Sequence, residues 1–310
     1  MSLLTEDAKG VYVIAVTPFT DTGAVDWNGV DSMVDFYEEK GATGLTILGL
    51  LGEATKMTSE ESRAIAKRVI DRTAGRLPIV VGVTAPGLAA MSELSDTVMD
   101  MGAAGVMVAP PWTTKTDDQA YAFYTSVGEA LGQTPWVLQD YPLTTNVTIA
   151  PKVIDRIIRD VPTCVMLKHE DWPGLSKISA LRAASDKGET RRVSILCGNG
   201  GLFLPEEMGR GADGAMTGFG FPEMMVGVVN NYAKGDIERA HDIFDAYLPL
   251  ARYEQQPGIG LAVRKYVLAK RGAISTGTLR KPGATLSKAD IADVERLLAR
   301  QAKRLAESGA

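Results

Sequence analysis

Short apolar runs alternate with segments of helical spacing along most of the chain, and few architectures accommodate that order. The runs are Val11–Val16, Leu45–Leu48, Ile79–Gly82, Gly105–Ala109, Trp136–Gln139, the stretch from Cys164 to Lys168, Ser194–Cys197 and Gly214–Thr217. Between them lie helical signals. Asp26 reads as an N-cap ahead of Val30, Met33, Val34 and Tyr37, and Thr58-Ser59-Glu60-Glu61 reads as a capped start with acidic first-turn residues. Further helices are expected over Leu88–Met101, Asp117–Leu131, Ala150–Arg159, from Leu175, and over Leu204–Arg210. That count fits a closed (β/α)8 TIM barrel of the α/β class. An open doubly wound sheet is the competing architecture, but no G-x-G-x-x-G turn follows the first run. Beyond Pro222 only helices are expected: Pro222–Lys234, Asp236–Ala251, Pro257–Ala269 and Ser287–Leu305, punctuated by Gly and Pro. The expected organisation is a barrel over 1–221 and a C-terminal helical extension over 222–310.

Several function classes are excluded by composition. A net charge of −5 and the lack of any Lys/Arg-rich run argue against a nucleic-acid partner. No apolar stretch is long enough to span a bilayer, and the N-terminus has no apolar h-region, so no membrane association is expected and the cytoplasm is the expected compartment. The two cysteines, Cys164 and Cys197, sit in apolar runs and read as buried reduced thiols. The two histidines, His169 and His241, are not at metal-ligand spacing, so no metal and no other cofactor is expected.

The sixth apolar run, Cys164-Val165-Met166-Leu167, leads into Lys168-His169-Glu170. Parallel strands of such folds end at the site-bearing face, so Lys168 is expected there. Burial at that place disfavours an ammonium and favours the free amine, which can attack a carbonyl and form a Schiff base. A lysine that merely snorkels to the surface is the bland alternative. With a period of two, Glu170 shares Lys168's face as counter-ion or acid/base, while His169 and Asp140 point the other way.

Several stretches together resemble the dihydrodipicolinate synthase / N-acetylneuraminate lyase family of class I aldolases. They are Gly10-Val11 through Thr17-Pro18-Phe19, the G-x-x-G-E element from Gly49 to Glu53, and Gly102 through Pro110-Pro111. Lys168 with Glu170, Cys197-Gly198-Asn199-Gly200, and Gly211-Ala212-Asp213-Gly214 continue the match in order. The resemblance implies a barrel, usually tetrameric, that binds pyruvate or another 2-oxo acid covalently through Lys168; the expected partners are this small molecule and further copies of the chain, as tetramer or dimer. It also implies that the substrate carboxylate sits on the G-x-x-G-E loop, and that the positions of Gly198 and Met216 line the pocket.

The chain departs from the family where hydroxyls are usual. Leu50 and Leu51 stand where many members have threonines, Thr113 near the usual tyrosine beyond the paired prolines, Gln139 in place of the strand-end tyrosine, and Thr144 in place of an arginine. Tyr141, two residues beyond Gln139, shares its strand face and is the candidate to replace the missing phenol; simple packing at the strand end is the alternative. Loss of that relay makes the lysine-pathway reaction an unlikely activity, since one lost donor commonly lowers the rate about 10²- to 10³-fold. Trp112, Leu50, Leu51 and Met216 are together expected to form an apolar pocket for a bulkier acceptor. A dehydratase acting on a sugar-derived acid is the near alternative, favoured by polar pocket residues, and a non-catalytic binding scaffold is the distant one.

Overall fold

The computed structural model describes residues 2–172 and 174–308. Eight parallel strands close into a barrel in sequence order. They are β1 (Gly10–Ile14), β2 (Gly44–Ile47), β3 (Ile79–Gly82), β4 (Gly105–Val108), β5 (Trp136–Asp140), β6 (Cys164–His169), β7 (Ser194–Cys197) and β8 (Gly214–Ala215). Closure comes from the pairing of β8 with β1, Gly10 opposite Gly214 and Val11 opposite Ala215. The intervening helices are α1 (Trp27–Glu39), α2 (Ser59–Thr73), α3 (Leu88–Asp100), α4 (Asp117–Leu131), the single turn α5 (Pro142–Thr145), α6 (Pro151–Asp160), α7 (Leu175–Asp186) and α8 (Leu204–Gly209). The remainder of the chain forms α9 (Pro222–Lys234), α10 (Ile237–Glu254), α11 (Gly260–Lys270) and α12 (Lys288–Ser308).

The caps read from sequence form as expected. The Asp26 side chain accepts from the Gly29 N–H at the start of α1. At α2 both halves of a capping box are present, Thr58 with the Glu61 N–H and Glu61 with the Thr58 N–H. One boundary moves. Helix α9, assigned to the extension by its helix-only context, packs against α8, β1 and β8 and completes the outer ring. A sequence pattern cannot distinguish the last helix of a barrel from the first helix after it, because no strand follows either.

Two apolar layers share the barrel wall. Ile14, Val80, Met107, Val137, Met166, Leu196 and Met216 fill the inside, with Leu4 from the N-terminal segment among them. Val13, Leu45, Ile79, Val106, Leu138, Leu167 and Ile195 face the helices. The alternation slips once, in β6. Trp136 is opposite Cys164 but the next residue, Val137, is opposite Met166, so Val165 is an extra residue. Cys164 belongs to the outer layer and Met166 to the inner one, so the bulge changes which face the following residues occupy. Lys168 therefore turns inward.

Candidate active site

Lys168 lies opposite Gln139 in the β5–β6 register, and both face the interior at the C-terminal end of the barrel. Lys168 is 4% exposed and its Nζ is 2.6 Å from Oε1 of Glu170. The same carboxylate oxygen accepts a 2.7 Å hydrogen bond from Gln139 Nε2. Glu170 can lie this close because residue 198 has no side chain: a Cβ there would stand 2.5 Å from Glu170 Oε2 and 2.6 Å from its Cδ. Asn199 adds a 3.0 Å bond from its Nδ2 to the Glu170 carbonyl. The arrangement holds an amine, a carboxylate able to take or return its proton, and an amide that orients the carboxylate.

Tyr141 follows β5 directly and is the N-cap of α5. Burial raises its hydroxyl's pKa, the nearby Glu170 charge adds to the rise, and a hydrogen bond with Thr144 opposes it. The phenol thus lies within electrostatic reach of Glu170.

The residues between the inward-facing ones serve the outer face. Asp140 is fully buried and binds Lys177 of α7 at 2.7 Å, and Lys177 also reaches Asp171 at 2.8 Å. Burial raises Asp140 to about 6 despite the attraction of Lys177. His169 is buried beside this group, and desolvation together with Lys177 lowers it to about 4. It is therefore a neutral packing residue at neutral pH, turned toward the helices.

The turn after β2 forms the opposite wall. Gly52 N–H bonds to Gly49 C=O and Glu53 N–H to Leu50 C=O, both at 3.0 Å. The N–H groups of Leu50 and Leu51, the first two residues of this turn, lie outside that pattern and are the kind of donor that takes an anion. Leu50 is 45% exposed, whereas Leu51 packs on the inner barrel layer. A cavity of about 570 Å³ opens beside the turn, its wall including Gly49, Leu50, Thr84, Met107, Gln139 and Thr144. It runs outward between α2 and α3, where Arg63 pairs with Glu93 at 3.3 Å. Its wall reaches the ionic pair through Gln139; Lys168 itself lies one contact deeper, drawn back by Glu170.

The other expected site residues lie in differing surroundings. Trp112 is 70% exposed, with the Lys115 ammonium 5.6 Å from its ring centroid, and does not enter the cavity. Thr113 is likewise exposed on the β4–α4 loop. Met216 is fully buried among the inner-layer residues, and its N–H bonds to Cys197 C=O. Gly198 offers space to the Glu170 side chain. The expected apolar pocket of Leu50, Leu51, Trp112 and Met216 thus reduces to Leu50, and the wall gains Thr55, Thr84, Thr144 and Thr145. Nothing in the sequence marked Thr84 or Thr145, which are ordinary loop threonines until the fold brings them together. Among the described residues no group of His, Cys, Asp and Glu could hold a metal ion, and no helix is long and apolar enough to cross a membrane.

Comparison with known proteins agrees with this geometry. Residues 7–301 match the model of the dihydrodipicolinate synthetase family. L-2-keto-3-deoxyarabonate dehydratase of Azospirillum brasilense is 28% identical over 279 residues, which is 88% of each chain. 4-Hydroxy-tetrahydrodipicolinate synthase of Thermus thermophilus is 31% identical, over 73% of this chain and 75% of that one. A crystal structure described as dihydrodipicolinate synthase from Rhodopseudomonas palustris superposes with a TM-score of 0.95 at 53% identity, covering 97% of this chain and all of the other.

Proposed function

The chain belongs to the dihydrodipicolinate synthetase family, and on that premise we propose that it is a lyase that binds a 2-oxo acid as a Schiff base on Lys168 and does not serve lysine biosynthesis. The observation that carries this reading is the buried Lys168–Glu170 pair at 2.6 Å, oriented by Gln139. Glu170 takes a proton from the ammonium, and the free amine adds to the 2-oxo carbon. The carbonyl oxygen leaves as water, with protons returned by Glu170 or Tyr141. The protonated imine acidifies the adjacent carbon, and Glu170 removes a proton from it to give an enamine. The enamine's electron pair then expels the hydroxyl from the next carbon, which leaves as water with the proton that Glu170 has taken. In the reverse direction of carbon–carbon chemistry it attacks an aldehyde. Hydrolysis of the imine frees product and lysine. The substrate carboxylate is held by the Leu50 and Leu51 N–H groups.

Between the two outcomes, dehydration of a sugar-derived 2-oxo acid is favoured by the cavity wall. Thr84, Thr144, Thr145 and Gln139 offer hydrogen-bonding groups to a polyol chain, beside apolar stretches of the wall such as Leu48, Met57 and Met107. The relation to the Azospirillum dehydratase points the same way. The exposed Leu50, Trp112, Leu143 and Trp172, all in the segments that follow strand C-termini, suit an assembly of copies of this chain in the cytoplasm.

The test is borohydride reduction in the presence of pyruvate and of four- to six-carbon 2-oxo acids with hydroxyl groups, at roughly millimolar concentration in keeping with common KM values, followed by intact-mass measurement. The expected result is an adduct on Lys168, absent from Lys168→Met, with the hydroxylated acids losing water. Folded protein that traps none of them would overturn the proposal.

A further inference from the structure

The turn from Leu48 to Glu53 is held in a conformation its own residues do not favour. Leu48 and Glu53, both with Cβ atoms, have φ of 55°, a left-handed conformation that costs of order 1 kcal/mol or more each. Such residues persist where the surroundings over-determine them. Three neighbours do so here. Gly82 leaves room for the Leu48 peptide, since a Cβ on it would strike that carbonyl, with the carbonyl carbon at 2.9 Å. The Thr17 hydroxyl, at the end of β1, bonds to Gly52 C=O at 2.6 Å. The third is Glu53 itself, whose carboxylate is 2% exposed and fully engaged.

Glu53 Oε1 lies 2.6 Å from Nζ of Lys265 on α11, and Oε2 lies 2.7 Å from Nζ of Lys56 and accepts from the Arg280 N–H at 3.1 Å. Lys265 is completely buried, gives a second bond of 2.9 Å to Thr278 C=O, and sits 4.4 Å over the Phe19 ring. Arg280 continues the contact, forming a two-pronged pair of 2.7 Å bonds with Glu61 at the start of α2. A segment from the C-terminal part of the chain is thereby fastened over the loops that follow β1 and β2. Neither Lys265 nor Glu53 reaches the cavity wall, so their action on a ligand is indirect.

We propose that Glu53 and Lys265 are positioning residues: their buried ion pair fixes the Leu48–Glu53 turn so that the Leu50 and Leu51 N–H groups are presented to the substrate carboxylate. This rests on the Schiff-base reading above. Lys265→Met removes the charge but keeps the apolar stem, leaving Glu53 held through Oε2 only, by Lys56 and the Arg280 N–H. The donors for the carboxylate then lose their fixed direction, while Lys168 and Glu170, on the far side of the barrel mouth, are untouched. Binding weakens and the chemistry of the bound imine does not.

The experiment titrates pyruvate in the borohydride assay, measuring the half-saturating concentration and the limiting trapping rate at Lys168. Lys265→Met is expected to raise half-saturation about tenfold or more, in keeping with misplaced donors, with a limiting rate within about twofold of the parent. Lys56→Met, at a more accessible partner of the same carboxylate, shifts half-saturation in the same direction by less and serves where Lys265→Met does not fold. A purely structural pair would change thermal stability and leave half-saturation alone; unchanged half-saturation in a folded variant overturns the inference. Failure of the parent protein to form any adduct would instead sink the Schiff-base reading, and this inference with it.

Discussion

Gly198→Ala places one methyl group where the Glu170 side chain now lies. The backbone does not require glycine there, since φ is −106° and ψ is −140°. The effect is therefore one of space. The new Cβ would stand 2.5 Å from Oε2 and 2.6 Å from Cδ of Glu170. Favourable non-bonded contacts between carbon atoms lie at about 3.5–4.0 Å, so the carboxylate must retreat by about 1 Å. Overpacking of this kind costs about 1–3 kcal/mol. The retreat also separates Glu170 from Lys168 and Gln139, and a misplacement of about 1 Å can lower the rate about 10²-fold. The expected outcome is a folded protein that melts a few degrees lower, with kcat reduced about 10²-fold and adduct formation at Lys168 slowed in parallel. Gly87→Ala is the matched control, because a Cβ there meets nothing within 4 Å. The assay is turnover of whichever 2-oxo acid is best trapped, together with a thermal melt. Full activity of Gly198→Ala would show that Glu170 need not sit where it does, and the assignment of its acid–base role would fall.

Tyr141→Phe should lower kcat by roughly tenfold to a hundredfold, as for a lost general acid, while half-saturation in the trapping assay stays constant; an unchanged kcat would return Tyr141 to simple packing. Lys177→Met strands the fully buried Asp140 and should destabilise the fold by about 3–5 kcal/mol in urea unfolding. The double variant Asp140→Asn/Lys177→Met should recover most of that loss, and no recovery would refute the pairing. Glu207 behaves as a buried neutral acid, raised from 4.5 to about 8 by burial, with a hydrogen bond to Cys197 opposing the rise. Its folded-state value exceeds its unfolded one, so its contribution to stability is fully present below about pH 4.5 and is lost as pH rises through about 8. Across that window the parent should lose up to about 1.4 kcal/mol per pH unit more than Glu207→Gln, measured by unfolding at several pH values. Parallel curves would contradict the assignment.

How much of this was legible in sequence follows from where the forces act. The strands and helices were readable because burial imposes a period on local residues, and eight parallel strands separated by helices leave one closed topology. Lys168 and Glu170 were placed on one face by that same period and Gln139 near them by the family resemblance, and the structure has the three in contact. The period was sufficient because it was applied over two residues, on the C-terminal side of the bulge at Val165. Counted from Cys164, on the far side of the bulge, it would have put Lys168 on the outside. Trp112 was expected in the pocket, but distance along a loop does not fix direction, and its side chain is exposed. The grip of Lys265 on Glu53 was out of reach, since nothing local to either residue marks a partner more than two hundred positions away.

The separation of Glu53 from Lys265 and Arg280 also orders events during synthesis. Every strand of the barrel has been made once Ala215 is added, but Lys265 and Arg280 follow 50 and 65 residues later. At a bacterial or eukaryotic ribosome's pace of about 5–20 residues per second, the second interval lasts roughly 3–13 s. A nascent chain in that interval can pair its strands and bury Lys168, yet Glu53 of the β2 turn still lacks Lys265 and the Arg280 N–H, with Lys56 and the Thr17 hydroxyl the turn's anchors. Translation order thus separates two events: the strands that carry Lys168 are made first, and the residues that complete the clamp on Glu53 follow.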